Sequence, residues 1–175
     1  MEVCMQAFRS LTWIAVIGLL TLVPVACQHQ QAVRNDPESR FYQIRAGSKL
    51  VLHRELHIPA ERAHVSFQHG RLVNGLDNYA VGCELEVRDL GPGIVQPGTF
   101  MVRRAESSRQ WISRPGILRF YRTIYLHSDT QPGVMQLVCQ TWSGPLYPAE
   151  ISVPQMREAL GELLTLELAP PNARN

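Results

Sequence analysis

The stretch 79-YAVGCELEVRDL-90 decides the fold class. Tyr79, Val81, Cys83, Leu85 and Val87 stand two residues apart and share one face, with Glu84, Glu86 and Arg88 on the other. A period of two is the mark of a half-buried β-strand, because successive side chains of an extended chain point to opposite sides.

Working outward, the same alternation recurs between closely spaced turn signals. Leu50, Leu52, Leu56 and Ile58 share a face in Lys49–Ile58, and Leu118, Phe120, Ile124 and Leu126 share one in Ile117–His127. Ala63–His69, Thr99–Ala105 and Val134–Trp142 also read as strands, and Phe41–Arg45 is a candidate seventh. The punctuation falls at Ile58-Pro59, Asn74-Gly75, Gly91–Gly93, Gln96–Gly98, Arg114–Gly116, Gln131–Gly133 and Ser143–Pro148, leaving intervals too short for long helices. Near the end the period changes. Ser152 with Gln155 resembles a capping box, Pro154 suits a first turn, and Met156, Leu160, Leu163 and Leu164 follow at helical spacing. The expected fold is mainly β (α+β): a small antiparallel sandwich or open barrel of six to seven strands, with one amphipathic helix over Val153–Leu166. Residues 41–168 read as a single globular domain, 28–40 as a polar tether, and 169–175 as a disordered tail.

The first 27 residues are of another kind. A head carrying Arg9 leads into fifteen mostly apolar residues, Leu11–Val25, and then Ala26-Cys27. A helix of that length spans about 22 Å, short of the roughly 20 residues a bilayer core requires. The order is that of an export signal removed at its end, over residues 1–26. The terminal "LVPVAC" resembles the lipobox of bacterial lipoproteins, with Val25 and Ala26 in suitable places and Pro24 where that family usually carries Leu. The resemblance implies acylation at Cys27, anchoring to a membrane, and an envelope location. Gln28 leans towards the outer membrane, facing the periplasm. Cleavage without acylation, giving a soluble periplasmic protein, is the alternative.

Four cysteines divide accordingly. Cys4 leaves with the signal and Cys27 takes the lipid, so Cys83 and Cys139 remain as a pair, which an oxidising compartment joins. A loop closed across 56 residues carries about 4 kcal/mol in the chain-entropy model.

Charge bounds the partners. A net charge of +2 argues against a general nucleic-acid binder. Six arginines (103, 104, 109, 114, 119 and 122) nevertheless crowd a segment with Glu106 as its one acid. Arg119, with Tyr121 and Tyr125 on the same strand face, is a candidate surface for phosphate or carboxylate groups of an anionic polymer or head group. The competing reading is internal neutralisation by Glu150, Glu158, Glu162 and Glu167. Histidines supply a second candidate. If the chain turns at Pro59–Arg62 so that Ile58 pairs with Ala63, His57 stands opposite His64, close enough for a shared metal ion. Glu84 and Glu86 form a carboxylate pair such as any exposed strand with two acids presents. No catalytic motif is present, and no cofactor is expected. The chain thus reads as an exported, non-catalytic binding or structural module of the cell envelope, contacting an envelope protein or anionic polymer through a sheet face or edge. The alternative is a periplasmic metal- or small-ligand-binding protein using the His pair or the Arg/Tyr face.

Overall fold

A computed structural model describes residues 32–147 and 149–170. The expected export signal, residues 1–26, and Cys27 lie outside the described residues. From Val33 onward the chain forms one compact unit.

The unit is mainly β with one late helix. Its strands are β1 (Lys49–Leu52), β2 (Leu56–Ile58), β3 (His64–Gln68), β4 (Arg71–Val73), β5 (Gly82–Val87), β6 (Gly93–Val95), β7 (Gly98–Ser113), β8 (Ile117–His127), β9 (Val134–Ser143) and β10 (Leu164–Glu167), with α1 (Val153–Leu160) between β9 and β10. Eight strands form one antiparallel sheet in the order β10-β1-β7-β8-β9-β5-β3-β4, curled into a half-barrel. β2 and β6 pair as a small second sheet. Helix α1 packs on β3, β5 and β10, covering the hollow side of the sheet. The core there includes Leu50, Phe67, Leu85, Phe100, Ile124, Leu137, Met156 and Leu166, all fully buried.

Several expectations need correction. Among the described residues there are ten strands rather than six or seven. Lys49–Ile58 breaks into two strands belonging to different sheets, and the three-residue strands β4 and β6 are too short to show a period. Phe41–Arg45 is irregular, although Tyr42 and Ile44 are buried. The helix stops at Leu160. Gly161 caps it at φ +60°, and a Cβ there would stand 2.5 Å from the Gly70 Cα, so this close approach admits only glycine. Beyond the cap the apolar spacing switches to two, and Leu164 and Leu166 point inward from β10. The expected helix start holds: Ser152 and Gln155 form a reciprocal capping box. Ala169 is buried and its N–H donates to Ser48 Oγ at 3.0 Å, so the fold extends past residue 168.

Cys83 and Cys139 are directly opposed on β5 and β9 and form a disulfide. It clips neighbouring strands on the buried face. The hairpin that would have set His57 against His64 does not form: β2 pairs with β6, whereas β3 lies between β4 and β5. With Ile58 drawn to Gly93, the two histidines belong to separate sheets.

Candidate functional site: an arginine cleft on the hollow face

Strand β8 alternates except at Thr123, which is buried as well. Leu118, Phe120, Ile124 and Leu126 face inward and are buried. Arg122 has the same parity and therefore the same fate: a guanidinium placed among core residues with only 5% of its surface exposed. Across the ladder its partners are Ser107 on β7 and Cys139 of the disulfide on β9.

A buried guanidinium has five N–H donors to satisfy. Nε donates to Ser107 Oγ at 3.1 Å, and Nη2 to the Arg40 carbonyl at 3.2 Å. Nη1 is buried and has no partner among the described residues. Leaving such a donor unmade costs on the order of 1–3 kcal/mol, more for a charged group. Burial pushes the Arg122 pKa below the ordinary arginine value, and the negative charge of Glu150 acts against that shift. A desolvated cation short of a partner is poised for an anion.

Arg122 opens onto a cleft of about 860 Å³ between the 40–46 segment and the β7 edge. Arg34, Arg40, Arg45, Arg103 and Arg104 line it too, with Glu106 and Glu150 as the acids. Two of these arginines are already engaged. Arg45 bonds the Asn35 side chain and the Pro170 carbonyl, and Arg104 pairs with Glu106 at 2.7 Å while lying 3.9 Å over the Tyr125 ring. Arg103 sits at a register shift in β7, where a bulge adds a residue and re-aims the strand. The cleft therefore combines one desolvated guanidinium at its wall with solvated ones at its rim. A planar phosphate or carboxylate edge suits that arrangement, because guanidinium offers parallel N–H donors.

The candidates read from sequence fall elsewhere. Arg119, Tyr121 and Tyr125 occupy the outer face of β8. Arg119 lies 4.9 Å over the Tyr121 ring and Arg104 covers Tyr125, so each aromatic is matched with an arginine of the chain itself. Of the four acids proposed to neutralise the segment, Glu150 is the one that lines the cleft. His57 faces Glu55 at 3.2 Å and His64 faces Glu84 at 3.7 Å. Among the described residues no three metal-binding side chains converge. Glu84 also accepts from Ser66, and Glu86 from Gln136. Arg122 itself went unnoticed as a distinct residue, although its signal was present: a charged side chain at an even position between Phe120 and Ile124 interrupts an apolar face. Compared with protein-family models, curated proteins and solved structures, the chain matches none.

Proposed function

We propose that the chain is an exported, non-catalytic binding module of the cell envelope, carried on a lipid at Cys27, which takes a phosphate or carboxylate group of an envelope component in the arginine cleft. The observation that carries the binding reading is the Arg122 guanidinium, buried, cationic and with Nη1 unpartnered, on a residue that lines the cleft. The Cys83–Cys139 bridge supports export, because cytosolic thiols are held reduced. The segment expected as a tether supports the site, since its Arg34 and Arg40 line the cleft.

Calorimetric titration with inorganic phosphate and, separately, with citrate tests the ligand chemistry. Saturable binding that weakens with salt and is lost in Arg122→Met supports the cleft. Affinity that Arg122→Met leaves unchanged refutes it. The location is tested by intact mass of protein taken from its native envelope. A start at Cys27 carrying acyl mass supports the anchor, and a full-length chain with reduced thiols overturns both anchor and export.

A further inference from the structure

The hairpin of β7 and β8 runs on, with β9 alongside it, well past the stretch that β1 covers. β1 covers β7 only over Gly98–Met101, and from Glu106 to Ser113 every β7 residue is exposed. At the far end the rung Trp111–Leu118–Ser143 crosses three strands. The turn after Ser143 sits at this same end, with Gly144 close to Gly116 and Ser143 Oγ donating to the Tyr147 carbonyl.

Four large apolar side chains are exposed there: Trp111, Ile112, Leu146 at 84% and Tyr147 at 75%. Trp111 pairs with Leu118, and Ile112 is the unpaired residue of a bulge between Trp111 and Ser113, which bends the strand and interrupts its alternation at the tip. The charge around it has one sign. Arg109 and Arg114 flank Trp111, the Arg114 guanidinium lying 5.8 Å from the indole ring, and neither Ser107–Ser128 nor Thr141–Ala149 contains an acid. Indole and phenol rings settle at the head-group level of bilayers, and arginines beside them meet lipid phosphates while their stems lie along apolar surface.

We infer that the β7–β8 tip docks onto an anionic lipid surface, with Trp111, Ile112, Leu146 and Tyr147 entering the interface and Arg109 and Arg114 contacting head-group phosphates. This surface is separate from the arginine cleft, which lies at the base of the hairpin around residues 103–107 and 122.

Trp111 reports on the contact locally. The full chain carrying Trp13→Phe is mixed with vesicles of brominated phosphatidylglycerol or brominated phosphatidylcholine, and its fluorescence is compared with that of a chain also carrying Trp111→Phe. Docking predicts strong quenching on phosphatidylglycerol, little on phosphatidylcholine, and loss of the quenchable fraction with Trp111→Phe. Arg109→Gln with Arg114→Gln should weaken vesicle affinity by roughly 10- to 30-fold, at about fivefold per arginine. Equal quenching with and without Trp111, or equal quenching on the two lipids, overturns the proposal. Unchanged affinity in the arginine double variant overturns it as well. Because the readout compares chains that share the same leader and cysteine, attachment through another segment does not imitate the result.

Discussion

Arg119 and Arg122 stand three residues apart on one strand and lead opposite lives. The odd separation sends them to opposite faces. On the outer face Arg119 lies over Tyr121, opposite Gln110 and Trp142 on the flanking strands. On the inner face Arg122 is wedged between Phe120 and Ile124, beside the disulfide. Each leaves one guanidinium nitrogen unpartnered, Nε of Arg119 and Nη1 of Arg122, but of the two only Arg122 lines the arginine cleft. The difference teaches that the arginine count of a strand says little about ligand binding. The solvation of each charge says more. A guanidinium at a wet surface interacts weakly with anions, whereas one already stripped of water has little more to lose and a hydrogen bond to gain.

The contrast can be broken from either side. The largest effect is expected from removing the bridge next to Arg122. Cys83→Ala with Cys139→Ala should lower stability by about 4 kcal/mol, read as a fall in denaturant midpoint. Arg122→Met should weaken anion binding by at least about thirtyfold, near 2 kcal/mol, in the calorimetric titration. The same variant should unfold within about 1 kcal/mol of the parent, or be more stable, because a buried charge gives way to an apolar side chain of similar length. A clear loss of stability instead would make Arg122 a structural residue. Glu150→Gln should tighten anion binding a few-fold, since it removes the opposing charge at the same cleft. Arg119→Gln should do least: at most about 1 kcal/mol in stability, with anion affinity unchanged.

pH sharpens the same comparison. The Arg122 pKa is lowered by burial, so the folded state holds its proton less firmly than the unfolded chain. The cost is present in full below the folded-state pKa and is relieved as pH rises through it. Stability therefore gains with pH only on the approach to the ordinary arginine value. Across about pH 6 to 9 the difference in denaturant midpoint between the parent and Arg122→Met should stay flat.

Legibility from sequence followed the range of the interactions. The strand around Cys83, all of β8 and the capped start of α1 could be read locally, because alternation and a capping box lie within a few residues of chain. The end of α1 could not. Leu163 and Leu164 fit a helical stripe, and it is Gly161 meeting Gly70, far away in sequence, that closes the helix and frees Leu164 and Leu166 for pairing with β1. The His57–His64 pairing failed for a like reason. A turn at Pro59–Arg62 suggests a hairpin, and nothing local reveals that Gly93–Val95 competes successfully for β2.

Residue order by itself determined the β-rich class, the late capped helix, the concentration of arginines over 103–122 and the parity that sends Arg122 inward, because these follow from backbone periodicity and side-chain chemistry. The tertiary structure alone decided which strands are neighbours, that the 40–46 segment lies over Arg122 and turns it into the wall of a cleft, and that the hairpin tip meets the turn after β9. Those outcomes come from pairing between parts of the chain distant in sequence, where burial and competing partners, rather than local pattern, set the free energy.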